Sequence, residues 1–480
     1  MSTNKLFIEA LTQVVGSSHV LTSHHEMAAY CEDWRGRYRG DGVAVVLPAS
    51  TAEVSAVLAL CADHGVTVVP QGGNTGLCGG ATPVSSDGSI VLSLKRMRRI
   101  RHVDPLDRTI TVEAGCTLAE VQAAAEDHDC LFPLSLASEG SCQIGGNIST
   151  NAGGVHVLRY GNTRQLVLGL EVVLADGRVW DGLRRLHKDN TGYDLKHLFI
   201  GAEGTLGIVT AAVLKMVPRP AVRAVAWAQM PSPDAALSLL DALRRRFGER
   251  ISAFELIGGA ALDVVLRHIP GARAPLESRT EWSVLLEVAD VDPDAPLAER
   301  LEDVLMSAYD QGLMTDMIVA ASGAQEAALW GLRENISEAQ RIEGFSIKHD
   351  ISVPVSRIPE FLARAESAVA AAAEGVRIVA FGHMGDGNLH YNLSCVDPDD
   401  NRRLIEATPA LNRAVHDVVY ACDGSISAEH GLGQLKVEEI KRYKSPLELE
   451  MLSKIKDLLD PHGLLNPGKV VAGQRHTSRM

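Results

Sequence analysis

Short apolar runs alternate with amphipathic helical patterns along most of the chain, and their order sets out two regions. Residues 1–40 mix short amphipathic helical patterns with a polar loop, Asp33-Trp-Arg-Gly-Arg-Tyr38. Val43-Ala-Val-Val-Leu-Pro48 then reads as a buried strand. Ser50-Thr-Ala-Glu53 supplies a helix start, with Ser50 as the cap and Glu53 three residues on, and the helix runs to His64-Gly65. A second strand, Val66-Thr-Val-Val-Pro70, completes a strand–helix–strand unit. Strands at Ser89–Leu94 and Thr109–Ala114, a helix near Leu118–His128 and a hairpin of Leu166–Leu174 turning at Ala175-Asp-Gly-Arg178 follow. Pro218-Arg-Pro220 closes the first region. Beyond it, strands such as Arg223–Met230 and Trp282–Val288 alternate with Ala/Leu-rich helices such as Pro233–Phe247. That alternation predicts an antiparallel sheet covered by helices, and α+β as the class. Pro446–Leu459 reads as an amphipathic helix, and Gly473–Met480 as a frayed end.

A chain of 480 residues is too long for one small core. Its 46% apolar and 22% charged residues fit a soluble protein with helices and strands, and a net charge of −14 argues against a general nucleic-acid binder. A local cationic pocket inside an acidic shell remains compatible with an anionic substrate. The eight cysteines are scattered without a Cys-x-x-Cys pair, which favours reduced thiols. Met1-Ser-Thr-Asn-Lys-Leu-Phe7 lacks the apolar core of a signal peptide, and no membrane-spanning run occurs. The expected location is cytoplasmic.

Three runs of small residues interrupt the first region. They are Gln71-Gly-Gly-Asn-Thr-Gly-Leu-Cys-Gly-Gly80, Gly140–Gly154 and Gly201-Ala-Glu-Gly-Thr-Leu-Gly-Ile-Val209. Glycine after a buried strand lets backbone N–H groups approach a phosphate. Neither Gly-x-Gly-x-x-Gly nor Gly-Lys-Ser/Thr is present. Each loop alone also reads as an irregular connection. Together they point to a large, flat, phosphate-bearing ligand.

In the second region, His383 and His390 flank a glycine-rich turn, and His390 and Asn392 alternate on a strand pattern. Glu429 and His430 arrive on a second glycine-bounded loop. Two imidazoles and a carboxylate with room for solvent make an open divalent-metal site. A six-residue gap is no standard ligand spacing, so two surface histidines beside a turn is the other reading. Trp330–Ser337 patterns as a helix with Arg333 and Ser337 four apart on one face. Ser346–Pro354 alternates as a strand, with Lys348 and Asp350 on one side. By spacing alone, Arg333 and Lys348 also read as solvated surface charges.

Pro70–Gly80, Gly140–Gly154, Lys188-Asp-Asn-Thr-Gly-Tyr-Asp-Leu195 and Gly201–Val209 resemble the FAD domain of the vanillyl-alcohol-oxidase/PCMH flavoprotein superfamily. Gly382–Asn392, Glu429-His-Gly-Leu-Gly433 and Leu464-Leu-Asn-Pro-Gly468 resemble the C-terminal domain of FAD-linked D-2-hydroxyacid dehydrogenases. The resemblance spans about residues 40–470. It implies a two-subdomain PCMH-type FAD-binding domain over residues 1–220 and an α+β substrate- and metal-binding cap with an antiparallel sheet over 221–435. A C-terminal helical segment, 436–480, returns to the FAD domain.

FAD is then expected on Pro70, Gln71, Gly72, Gly73, Asn74, Thr75 and Gly76; on Ser138, Gly140, Ser141, Gly145, Gly146, Asn147, Thr150, Asn151 and Gly153; and on Glu203, Gly204, Gly207, Ile208 and Asn466. Some relatives attach FAD through a histidine in the first loop. Asn74 stands there instead and has no nucleophilic ring nitrogen, so dissociable FAD is expected. The resemblance casts His383, His390 and Glu429 as ligands to Zn²⁺, with Mn²⁺ as the alternative, and His430 as the base that also contacts substrate. Asn392 holds the α-carboxylate, while Arg333, Ser337 and Lys348 grip a distal carboxylate. Serine stands at 337 where the family has threonine, which widens the pocket slightly. Lys348 and the Ser427-Ala-Glu-His430 sequence favour a dicarboxylate such as D-2-hydroxyglutarate or D-malate. A D-lactate or broad-range dehydrogenase, and a non-catalytic flavin subunit of a redox complex, are the alternatives. The resemblance also implies a homodimer and an electron acceptor such as electron-transfer flavoprotein, quinone or cytochrome.

Overall fold

The computed structural model describes residues 3–84, 88–395, 397 and 400–471, so the expected frayed end at 473–480 lies outside the described residues. The chain divides into two compact units. One comprises Met1–Gly153, Asn162–Pro218 and Glu429–Met480, and the other Gly154–Gly161 and Arg219–Ala428.

In the first unit, a small mixed sheet runs in the order Val20–Leu21, Gly42–Val46, Ser89–Ser93, Val68–Gln71, with the last three strands parallel. Ser89–Ser93 is buried along its whole length, as a central parallel strand must be. Helix Thr51–His64 starts where Ser50 accepts from the Glu53 amide and stops at Gly65 in the left-handed region, φ 63°. It buries Val54, Val57, Leu58 and Cys61 in the core of this unit. A five-stranded antiparallel sheet follows, in the order Ile100–Asp104, Thr109–Glu113, Ile208–Lys215, Val167–Val173, Val179–Gly182.

The C-terminal segment belongs to the first unit. Helix Pro446–Leu459 carries a capping box of Ser445 and Glu448. Lys456 Nζ donates to the carbonyls of Thr205 (2.7 Å) and Leu465 (2.9 Å), and Leu465 forms a parallel bridge with Val68.

The second unit is built on an antiparallel sheet. Its order is Asp316–Val319, Val222–Met230, Trp282–Asp290, Ile251–Gly258, Val376–His383, Asn388–Cys395, with Ser346–Ile347 and Asp350–Ser352 both paired to the last of these. One face presents Val225, Trp227, Leu285, Ile257, Val379 and Phe381. They pack with Val264 and Val265 of helix Gly259–His268, Leu329 and Leu332 of helix Gly323–Glu334, and Ile336 of helix Ile336–Glu343.

Two expected boundaries move. The one placed at 435 falls between Ala428 and Glu429, because the amides of Leu432 and Gly433 bind the buried Glu203 carboxylate and hold that loop in the first unit. Gly154–Gly161, expected in the FAD domain, goes with the second unit, where Arg159 Nη1 donates to the Ala289 carbonyl at 2.8 Å.

Candidate active site

The three glycine runs of the first unit meet around one cleft. Strand Val68–Gln71 delivers Pro70 and Gln71 to it, and residues 72–76 continue the wall. Gly145, Gly146, Asn147 and Thr150 come from the short helix Ile144–Thr150, and Glu203, Gly204, Gly207 and Ile208 from the third run. His430 lines the same cleft. Close packing explains two of the glycines. A Cβ on Gly73 would meet the Ser141 carbonyl oxygen at 2.1 Å, and one on Gly204, at φ 70°, would meet Pro70 Cγ at 2.3 Å.

Gly76 and Gly146 differ from these: nothing lies within 4 Å of a Cβ built there. Gln143, also in the wall, has a buried Oε1 with no hydrogen-bond partner. A backbone-lined cleft with open glycines and an unmet acceptor fits a flat heterocyclic ligand carrying N–H donors.

Six of the expected cofactor residues do not line the cleft. Ser138 and Ser141 form the turn that precedes it, with the Ser141 amide on the Ser138 carbonyl at 2.8 Å, and Gly140 lies within that turn. Asn151 caps the short helix at φ 53° and accepts from the Arg164 amide, and Gly153 ends this part of the unit. Asn466, buried at φ 45°, donates to the carbonyls of Gly80 (3.0 Å) and Glu203 (2.7 Å), both in the cleft wall. It therefore braces the wall from behind. Glu203 ties the same wall to residues 432–433; burial pushes its carboxyl up, and the amides of Leu432 and Gly433 work against that shift. Asn74 takes a left-handed backbone, φ 52°, and donates to the Glu32 carbonyl.

A row of polar groups crosses the second unit's sheet on its helix-covered face. The register sets Glu255 opposite His383, Phe381 opposite His390, and His390 opposite Asp350. Directly opposed residues share a face. Carried through the two-residue gap between Ile347 and Asp350, the same register sets Lys348 opposite Asn392. The expected strand at 346–354 is thus two short pieces in one register. Rings of His383 and His390 lie edge to face, with centroids 5.8 Å apart.

Glu255 was not legible as a site residue. Nδ1 of His383 lies 2.7 Å from its Oε1, and Arg333 Nε donates to its Oε2 at 2.7 Å. Burial alone would push the Glu255 carboxyl up. The charges of His383 and Arg333 and their hydrogen bonds outweigh it and hold the group at about 2. Arg333 is buried and its guanidinium stacks 4.9 Å over the Phe381 ring. The solvated-charge reading of Arg333 therefore fails. The helix expected across Trp330–Ser337 breaks at Asn335, leaving Arg333 buried and Ser337 exposed. Lys348 Nζ donates to Gln340 Oε1 at 2.6 Å, and Asn392 Nδ2 to the same oxygen at 2.9 Å.

The last residue of the second unit, Ala428, donates its amide to the Asp350 carbonyl at 3.3 Å, beside the strand pair that carries His390. Glu429 follows by one peptide bond.

Residues 43–182 match the FAD binding domain family, and residues 219–470 match the C-terminal domain of FAD linked oxidases. A protein of Oryza sativa subsp. japonica, named a probable mitochondrial D-2-hydroxyglutarate dehydrogenase, is 41% identical over 460 residues, covering 95% of this chain and 80% of its own length. The D-2-hydroxyglutarate dehydrogenase of Xanthomonas citri pv. viticola is 40% identical and covers 96% of each chain. Among solved structures, p-cresol methylhydroxylase with substrate bound superposes with a TM-score of 0.76 at 17% identity, over 98% of this chain and 97% of its own. At that identity the likeness shows the fold alone.

The expectation of a cytoplasmic location does not stand. Relatives from Oryza sativa, Arabidopsis thaliana and Bos taurus are named mitochondrial. Among the described residues, no helix is long and apolar enough to cross a membrane. With both domain families matched and relatives near 40% identity along its length, the chain belongs to the FAD-linked D-2-hydroxyacid dehydrogenases and is an FAD-dependent dehydrogenase acting on CH–OH donors.

Proposed function

We propose that the substrate is a D-2-hydroxy dicarboxylic acid, D-2-hydroxyglutarate before D-malate, oxidised to its 2-oxo acid in a metal-dependent reaction. The observation that carries this reading is the buried Arg333 beside a polar row that also carries Lys348 and Asn392. Burying a guanidinium is expensive, and Glu255 engages its Nε at 2.7 Å. The guanidinium's remaining N–H groups suit a second carboxylate, that of the substrate.

His383, His390 and Glu429 would hold the cation, Zn²⁺ before Mn²⁺. Glu255 engages Nδ1 of His383, so a ligand bond from this ring would run through Nε2, with the carboxylate fixing ring and tautomer. When bound, the cation supplies positive charge that acidifies the α-hydroxyl, and the flavin supplies the hydride acceptor. Asn392 holds the α-carboxylate. Arg333 and Lys348 hold the distal one, which fixes the face of C2 that is presented; Ser337, exposed beyond the break at Asn335, takes no part in that grip. His430, in the wall of the cofactor cleft, removes the hydroxyl proton. Asn74 offers no nucleophile to the cofactor, so FAD is held without a covalent bond.

A substrate panel tests the reading: D-2-hydroxyglutarate, D-malate and D-lactate, each followed by anaerobic flavin reduction. The diacids are expected to reduce the flavin at lower concentration than D-lactate. Equal or better use of D-lactate would refute the diacid assignment.

A further inference from the structure

Helix Ile336–Glu343 lays Gln340 onto the sheet where Lys348 and Asn392 stand opposite each other. Its Oε1 accepts from both, at 2.6 and 2.9 Å. Both partners are donors, so the amide cannot be turned over without setting N–H against N–H. Its Nε2 is buried and has no hydrogen-bond partner, and the residue as a whole is 3% exposed. A buried donor left unmet by the protein is a place where a ligand acceptor belongs.

Gln340 also borders a small polar recess shared with Glu343, Ser346, Ser394 and Asn401. Ser346 pairs with Ser394 one step along the same face from Lys348 and Asn392. Gln340 therefore stands where the row of substrate-reading groups ends and the recess begins. The Glu343 carboxylate in that recess is engaged by Arg377 and Arg267, which leaves a neutral, polar volume behind the amide.

We propose that Gln340 sets the length of the acid this enzyme accepts. Its Oε1 ties the holder of the distal carboxylate, Lys348, to the holder of the α-carboxylate, Asn392. Its Nε2 donates to the distal carboxylate of a five-carbon diacid and closes the pocket against longer ones. The inference rests on the diacid reading above.

The test uses the purified holoenzyme and its Gln340→Met and Gln340→Ala variants, reduced anaerobically by D-2-hydroxyglutarate, D-2-hydroxyadipate or D-lactate. Gln340→Met keeps the length and removes the amide. It is expected to raise the concentration of D-2-hydroxyglutarate needed for half-maximal reduction about tenfold or more, and that of D-lactate by clearly less, since D-lactate shares only the α-carboxylate contact through Asn392. Gln340→Ala opens the recess and is expected to shift preference toward the six-carbon diacid.

Unchanged diacid binding in Gln340→Met, or an equal loss with D-lactate, would overturn the proposal, the second result marking a residue that only props the fold. Thermal melts and flavin content identify a variant that fails to fold, and the ratio between substrates in the folded fraction still decides. If wild-type enzyme is reduced by D-lactate and by no diacid, the diacid reading falls and this proposal with it. If wild type uses the five-carbon diacid and the variants match it, only the role of Gln340 is lost.

Discussion

The Oε1 atom of Glu255 lies 2.7 Å from Nδ1 of His383, and its other oxygen accepts from Arg333, so one buried carboxylate joins a metal-ligand candidate to a substrate-reading candidate. Glu255→Gln removes the charge while keeping the shape. It is expected to weaken metal retention about 10- to 100-fold, measured by metal content after dialysis against a graded chelator. Retention equal to wild type would show that the carboxylate does not tune His383. Glu255→Ala leaves the guanidinium of Arg333 buried without this partner, and should destabilise the protein by about 3–5 kcal/mol in denaturant titration.

The same carboxylate gives a pH signature. Held at about 2, below its unfolded value, Glu255 contributes stability that is fully present above the unfolded carboxyl range and is lost as pH falls through the folded value. Wild type should therefore lose stability more steeply than Glu255→Gln as pH falls from about 5 toward 2. Parallel acid-unfolding curves would contradict the pairing.

His430→Gln should retain FAD and slow the reduction of the flavin by about 10²- to 10⁴-fold, as expected for loss of a general base. Stopped-flow absorbance reads this directly, and a near wild-type rate would remove His430 from that role.

Arg333→Ala should raise the D-2-hydroxyglutarate concentration needed for half-reduction by about tenfold or more, and that for D-lactate far less. Because the substitution also strands Glu255, the ratio between the two substrates is the informative quantity. An unchanged ratio would mean that Arg333 does not read the distal group.

Denaturation in acid should release all of the flavin into the supernatant, since Asn74 holds the place of a linking histidine. Yellow colour left in the precipitate would show a covalent bond.

Local signals carried much of the fold into the sequence. Ser50, Glu53 and Gly65 mark both ends of a helix, and Pro233–Phe247 and Pro446–Leu459 are helices over the residues expected. The glycine runs exposed most of the cofactor cleft because backbone approach leaves a compositional trace. Glu255 leaves almost none: it is one acid in the buried strand Ile251–Gly258, and its partners lie 78 and 128 residues away. A lone carboxylate inside an apolar strand was the available clue, since burial of a charge demands partners. Gln340 was hidden for a related reason, as its meaning depends on the pairing of two distant strands. The break at Asn335 also escaped a reading based on four-residue spacing, and it separates Ser337 from the buried environment of Arg333. The Gly154–Gly161 segment looked continuous with its glycine-rich neighbours, yet its contacts, such as Arg159 on Ala289, belong to the other unit.

Anaerobic mixing of the yellow, metal-replete protein with D-2-hydroxyglutarate tests the central claim most directly. The predicted result is bleaching of the oxidised flavin's visible absorbance with one 2-oxoglutarate formed per flavin, abolished by removing the metal and restored by Zn²⁺ or Mn²⁺. Persistent yellow colour in metal-replete protein that D-lactate readily bleaches would contradict it.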